Sequence, residues 1–200
     1  SYRRFVAFDY GLDMLACLWF AVSPDGWIYV YRELHQPGLI VSEAAKKILE
    51  YSCGEEPEEL YMPPDMASRQ KDSGRTMAEL FYENGISGKA ADNRRVAGWL
   101  AVKELLKPVS DPYGGKTPRL RIFKNCTTLI AHLPALVRDE KNGSDASSHP
   151  HEITHICDAL RYFALSYREK EPPAPALSPL EEAKRKALKR AKTGSRRSAF

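Results

Sequence analysis

The stretch RRFVAFDYG, residues 3–11, decides the fold of this chain. Phe5, Ala7 and Asp9 alternate with two apolar residues, so the pattern predicts a strand that is buried on both faces and lies centrally in a sheet. This strand ends at an acidic residue that is followed by a turn glycine. Asp9, at the end of a central strand, is therefore the first candidate for a functional side chain.

The segments after this strand predict a single α/β domain. Two further apolar segments, 15–22 and 27–34, are separated by the turn SPDG, so three antiparallel strands open the domain. The remaining pattern predicts, in order, a helix at 42–51 capped by Ser42, a strand at 59–64, a helix at about 76–84, a helix capped by Asp92 that ends before Pro108, a strand at 119–123, a helix at 127–138, an exposed loop at 139–150 and a last helix at 153–167.

The last predicted helix carries polar residues that packing does not explain. At about 100° per residue its apolar residues form one stripe, whereas His155 and Asp158 lie together on the opposite side. The ordinary interpretation is a polar face exposed to solvent. The functional interpretation is that this face contributes to a site.

Three aspartates occupy positions that can converge. Asp9 ends the first strand, Asp65 follows the fourth strand after two prolines, and Asp158 lies on the last helix. If the first and fourth strands are neighbours, Asp9 and Asp65 lie side by side and Asp158 approaches from the packed helix. Three converging carboxylates can hold two divalent metal ions, and oxygen ligands favour Mg²⁺ or Mn²⁺ over zinc.

Each of these aspartates also has a structural interpretation. Asp9 can form a turn ahead of the following glycine, and Asp65 can cap a helix or a turn after proline. Asp158 can form an ion pair with Arg161 or lie unpaired at the surface. Asp13 is a further acid near Asp9, and its position favours a solvated loop residue over a ligand.

Composition allows one sizeable core, because 43% of the 200 residues are hydrophobic. The sequence has neither a run of eighteen apolar residues nor an N-terminal signal pattern, so it predicts a cytoplasmic protein without membrane insertion. The cysteines lack CxxC spacing and predict reduced thiols: Cys17, Cys53, Cys126 and Cys157.

Positive charge is concentrated in the C-terminal segment. Residues 171–200 contain eight Lys and Arg against three Glu, a net charge of +5, which leaves −1 for residues 1–170. The proline-rich start of this segment predicts an extended linker, and its remainder predicts a flexible basic tail. We therefore predict a catalytic or binding domain over 1–170 and a linker with a basic tail over 171–200.

Two motifs that imitate other sites are excluded. Histidines and a cysteine near the last helix suggest a zinc site: His149, His151, His155 and Cys157. The last two of these are about 200° apart on a helix, and no second Cys/His pair has ligand spacing. PYGGKT, residues 112–117, imitates part of a P-loop, but Ser110 stands at the first glycine position, so the segment predicts a turn and the chain has no ATPase motif.

Several segments together resemble the C-terminal nuclease domain of the large terminase subunit of tailed bacteriophages, a member of the ribonuclease H-like superfamily: FVAFDYG, YMPPD, ADNRRVAGWLAVKELL, LRIFKNCTTLIAHLPALVRDEKN and HICDALRYF. The resemblance spans most of residues 1–170. It implies a ribonuclease H-like α/β fold with a mixed central sheet of about five or more strands flanked by helices. It also implies a metal-dependent endonuclease that cuts double-stranded viral concatemer DNA with little sequence specificity during genome packaging.

The resemblance also assigns roles to residues and partners. It implies that Asp9, Asp65 and Asp158 bind two divalent ions, Mg²⁺ or Mn²⁺, and that His155 is an auxiliary ligand or proton carrier. Loss of one aspartate is then expected to abolish cleavage at little cost in stability, because it relieves repulsion between carboxylates. Expected partners are an N-terminal ATPase domain beyond this sequence, the small terminase subunit and the portal protein, in the cytoplasm of the infected bacterium and transiently at the capsid portal.

Basic residues near the acids are candidates for binding DNA phosphates: Arg69, Lys71, Arg94 and Arg95. Solvated surface charge is the alternative for each, and the basic tail can bind DNA, bind the portal or only aid solubility.

Two other functions of the chain stay open. One is a Holliday-junction resolvase of the same fold, and the other is a non-catalytic module that docks onto the portal or another packaging protein.

Overall fold

The computed structural model of the chain describes residues 1–11, 13–69, 74–111 and 114–167. Along the chain the strands are β1 (Arg3–Tyr10), β2 (Met14–Val22), β3 (Ile28–Pro37), β4 (Glu59–Met62), β5 (Lys89–Ala90), β6 (Pro108–Ser110), β7 (Lys116–Pro118) and β8 (Leu120–Ile122). The helices are α1 (Val41–Ser52), α2 (Met77–Glu83), α3 (Arg95–Leu106), α4 (Thr127–His132) and α5 (His151–Ser166), with 3₁₀ turns at Pro64–Ala67 and Leu133–Ala135. The predicted tail, 171–200, lies outside the described residues, so the predicted domain boundary at 170 stays a prediction.

Six strands form one mixed sheet in the order β5-β4-β1-β2-β3-β8. Strand β1 pairs antiparallel with β2 and parallel with β4, and β2 pairs antiparallel with β3. The predicted central position of the first strand is therefore confirmed, and the condition for Asp9 and Asp65 to lie side by side, that the first and fourth strands are neighbours, is met. The predicted α/β class, with a mixed central sheet of five or more strands flanked by helices, is confirmed as well.

Alternation along β1 creates two cores, one on each face of the sheet. Phe5 and Ala7 belong to the core beneath α3, α4 and α5, whereas Val6 and Phe8 belong to the core beneath α1 and α2. Asp9 continues the first of these rows, so its side chain lies on the α5 face. None of the helices in the described ranges combines the length and the apolar character that crossing a bilayer would need.

Helix α5 is buried on nearly all sides. Its apolar stripe packs on β1 and β2, and the opposite side packs against α3. His155 is buried and Asp158 is mostly buried, so the ordinary interpretation of a solvated polar face does not hold for these two residues.

The predicted boundaries of α1 and α4 are wrong. Helix α1 begins at Val41, and the side chain of Glu43 accepts the amide of Ile40 at 3.2 Å, so Ser42 is not the cap. Helix α4 ends at His132 instead of 138, because Pro134 lacks the amide that would donate to the carbonyl of Ile130.

Helix α3 begins after a different residue from the one predicted. It starts at Arg95 with Arg94 at the N-cap position, and Asp92 binds the backbone amide and the guanidinium of Arg94 instead of capping the helix. Strands β5, β6 and β7 were not predicted, since two or three residues are too few to show a period-2 pattern.

A glycine allows α3 and α5 to approach closely beside the predicted site. A Cβ atom at Gly98 would lie 2.5 Å from Cγ and 3.0 Å from Cδ of Arg161, whose side chain is 1% exposed. Those atoms belong to the middle of a fully buried side chain, so they cannot move aside as the end of a flexible surface chain can.

Gly98→Ala is expected to destabilise the fold by about 1–3 kcal/mol through overpacking, although alanine alone favours a helix by about 1 kcal/mol over glycine. Thermal unfolding followed by circular dichroism measures the change. Gly143→Ala is the matched control, since no atom lies within 4 Å of the added methyl group, and it is expected to shift stability by less than about 0.5 kcal/mol. An unchanged melting temperature for Gly98→Ala would contradict the close helix packing.

Candidate acidic site

A histidine from α5 links two aspartates at the end of β1. Nδ1 of His155 lies 2.7 Å from Oδ2 of Asp9, and Nε2 lies 3.2 Å from Oδ2 of Asp13. The hydrogen bond with Asp9 raises the pKa of His155 to about 8, against the lowering effect of burial, and Asp13 adds to the rise. The ring is therefore mostly an imidazolium at neutral pH. Each of its two N–H groups donates to a carboxylate.

Asp9 is a mostly buried carboxylate near the end of β1. Burial raises its pKa, the hydrogen bond from His155 opposes the rise, and the negative charges of Asp158 and Asp65 add to it. The charges of Asp9, Asp158 and Asp65 likewise contribute to the raised pKa of Tyr162, after burial, which is the largest cause. The three predicted aspartates therefore lie within electrostatic reach of one another.

Asp65 reaches this edge of the sheet through the topology. It lies on the 3₁₀ turn Pro64–Ala67, directly after β4, and β4 runs parallel to β1 with Ala7 opposite Tyr61. The carboxyl ends of parallel neighbouring strands lie at the same edge, which brings Asp65 toward Asp9. Unlike Asp9, Asp65 is exposed to solvent.

Asp158 is oriented by two arginines that bind the same oxygen. Its Oδ1 accepts from Nε of Arg161 at 2.7 Å and from Nη1 of Arg95 at 3.4 Å. Its Oδ2 accepts no hydrogen bond from the described residues, and the same is true of Oδ1 of Asp9. One oxygen of each carboxylate therefore remains free to bind another group.

The donor chemistry of this site fits hard divalent cations. The free atoms are carboxylate oxygens, which suit Mg²⁺ and Mn²⁺, and a cation would offset the charges of Asp158 and Asp65 that raise the pKa of Asp9. Within the described ranges, however, no three carboxylate, imidazole or thiol groups are arranged so that they could hold a metal ion as they stand. His155 and the two arginines supply the balancing positive charge in this arrangement.

The four predicted DNA-binding residues have different environments. Arg69 is exposed and donates to the carbonyl of Gly74 at 3.0 Å, and Arg94 is exposed and paired with Asp92. Arg95 is largely buried among acidic partners, so the structure gives it a role in holding carboxylates. Lys71 lies outside the described residues.

Sequence reasoning missed several members of this site. The Asp158–Arg161 pair was considered only as the structural alternative, and its three-residue spacing is the signal for it. Asp13 was expected to be a solvated loop residue; its side chain is 64% exposed, yet it binds His155. The contact of Arg95 with Asp158 joins two helices that are distant in sequence, and no local pattern indicates it.

Three solved structures are similar to this chain. The P22 large terminase nuclease domain has a TM-score of 0.63 at 17% sequence identity and covers 82% of this chain and 80% of that chain. The large terminase nuclease domain of bacteriophage SPP1, solved with bound Mn, has a TM-score of 0.52 at 16% identity and covers 80% and 84%. The large terminase nuclease of thermophilic phage G20c has a TM-score of 0.55 at 14% identity and covers 86% and 84%.

These similarities establish the fold. The chain has the ribonuclease H-like fold of the large terminase nuclease domains, and the resemblance inferred from the sequence is confirmed at that level. No protein-family model matches the sequence, and no curated protein matches it significantly.

Proposed function

We propose that this domain is a metal-dependent endonuclease that cuts double-stranded viral concatemer DNA, with little sequence specificity, during phage genome packaging. The observation that carries the proposal is that Asp9 and Asp65 follow neighbouring parallel strands at one edge of the sheet, where the charges of Asp158 and Asp65 both raise the pKa of the mostly buried Asp9. The fold shared with three terminase nuclease domains supports the same function. The Mn bound to the SPP1 domain supports Mg²⁺ or Mn²⁺ as the cofactor of this chain.

In this proposal Asp9, Asp65 and Asp158 hold two divalent ions, which when bound activate water and stabilise the leaving oxygen of a phosphodiester. Asp9 and Asp158 would contribute the carboxylate oxygens that accept no hydrogen bond from the described residues, and the exposed Asp65 would contribute a third carboxylate. His155, which is protonated and bound to Asp9 and Asp13 here, would act on the same edge as a proton carrier or, once it has lost its proton, as an auxiliary ligand, and Arg161 fixes the orientation of Asp158.

Double-stranded DNA is the proposed substrate, and Arg69, Lys71 and Arg94 are the proposed phosphate contacts. The proposed partners are an N-terminal ATPase domain, the small terminase subunit and the portal protein, in the cytoplasm of the infected bacterium. Low sequence specificity follows because no segment of the sequence resembles a helix or ribbon that reads base edges.

Cleavage of supercoiled plasmid in Mg²⁺, Mn²⁺ or EDTA tests the proposal. We expect nicked and linear products with either ion and none with EDTA. A parallel reaction with a four-way junction separates a packaging nuclease from a resolvase, since a resolvase would strongly prefer the junction. Cutting in EDTA would contradict metal dependence, and no cutting under any condition would favour the docking module.

A further inference from the structure

Arg95 is held by the loop that contains Asp145 and Ala146, which lies outside the acidic site. Nε of Arg95 donates to Oδ2 of Asp145 at 3.1 Å, and Nη2 donates to the carbonyl of Ala146 at 3.1 Å. Only Nη1 reaches Asp158, and that contact is long at 3.4 Å. Two of the three guanidinium nitrogens of Arg95 are therefore engaged by the loop.

Asp145 is itself fixed in place. Its Oδ1 accepts from Nε1 of Trp99 on α3 at 3.0 Å and from the amide of Ala146 at 2.7 Å. The loop around it is closed by backbone hydrogen bonds from Ser147 to Val137 and from Asp139 to Asp145. Asp145 is therefore a rigid anchor, whose second oxygen is directed at Arg95.

An arginine without this anchor would engage Asp158 differently. A guanidinium presents two parallel N–H groups that match both oxygens of one carboxylate, so an unrestrained Arg95 would bind Asp158 through both oxygens. In the observed arrangement Arg95 and Arg161 share Oδ1 and leave Oδ2 free. The free oxygen is the one that the proposed cation site requires.

We propose that Asp145 is a positioning residue for the acidic site: by holding Arg95 to the loop, it keeps Oδ2 of Asp158 available for a divalent cation. This inference rests on the proposed function. It assigns the orientation of Arg95 to Asp145 of the loop, and it separates Arg95 from the residues proposed to contact DNA.

Mn²⁺ binding to the full chain, measured by isothermal titration calorimetry, tests the inference without reference to activity. Asp145→Asn keeps an acceptor for Trp99 and Ala146 but removes the charge that holds Arg95, so we expect Mn²⁺ affinity to fall about tenfold. In an Arg95→Gln background the same substitution is expected to change affinity less than twofold, because the competing guanidinium is gone. Arg95→Gln alone is expected to bind Mn²⁺ at least as tightly as the unsubstituted chain.

Arg94→Gln is the matched control, because it removes the same charge from the neighbouring residue, which pairs with Asp92 and not with Asp158. Its Mn²⁺ affinity is expected to stay within twofold of the unsubstituted chain. An equal loss from Asp145→Asn in both backgrounds, no loss in either, or weaker binding by Arg95→Gln would overturn the positioning role. Absence of Mn²⁺ binding by the unsubstituted chain would overturn the proposed function as well.

Discussion

Asp9→Asn is expected to lower the rate of metal-dependent plasmid cleavage about 10³-fold, because a bound ion contributes several kcal/mol of transition-state stabilisation. Asparagine has the shape of aspartate and can still accept the hydrogen bond from His155, but it removes the charge that a cation needs. The substitution also removes a mostly buried charge that the neighbouring charges of Asp158 and Asp65 disfavour, so the chain is expected to remain folded.

Asp25→Asn is the matched control for this variant. It makes the same chemical change in the exposed turn between β2 and β3, at the opposite end of the sheet, and is expected to leave the cleavage rate unchanged. Circular dichroism checks the fold of both variants. Full cleavage by a folded Asp9→Asn protein would contradict the assignment of the site.

Arg161→Met is expected to destabilise the protein by about 3 kcal/mol, because it breaks a buried ion pair and leaves the carboxylate of Asp158 with only the long contact from Arg95. Methionine is also long and unbranched, so it can occupy the space between α3 and α5 without a large cavity. The melting temperature should fall by roughly 6–12 °C, as measured by thermal unfolding.

The control for this prediction is Arg94→Met, which breaks an exposed ion pair at the start of α3. Exposed pairs contribute little to stability, so its melting temperature should be almost unchanged. Equal shifts in melting temperature for the two variants would contradict the prediction that the buried Asp158–Arg161 pair contributes more to stability than an exposed pair.

The fold could be predicted largely from the sequence, because alternation and turns are local signals. The pattern of residues 3–11 predicts a central strand, and the turn SPDG predicts the first hairpin. Helix boundaries were harder to predict, because each depends on a single interaction. Glu43 accepts the amide of Ile40 at the start of α1, and Pro134 lacks the amide that would continue α4. The two-residue strand β5 is defined only by its partner β4.

The candidate site could be predicted in outline for the same reason. An acid at a strand end or on a helix is visible in the sequence, and strand order then determines which acids meet. The arginines that balance these acids are different, because Arg95 meets Asp158 only when α3 packs on α5. The expected low cost of removing an aspartate therefore needs correction at Asp158, since its loss would leave the buried Arg161 unpaired.

We propose that the carboxylates of Asp9, Asp65 and Asp158 at this edge of the sheet bind divalent cations. Anomalous diffraction from crystals grown with Mn²⁺ tests it most directly, because the signal locates manganese without reference to activity. We expect manganese bound to Oδ1 of Asp9 and Oδ2 of Asp158, with Asp65 among the ligands. An anomalous map that shows no manganese, or manganese only away from these carboxylates, would contradict cation binding at this site.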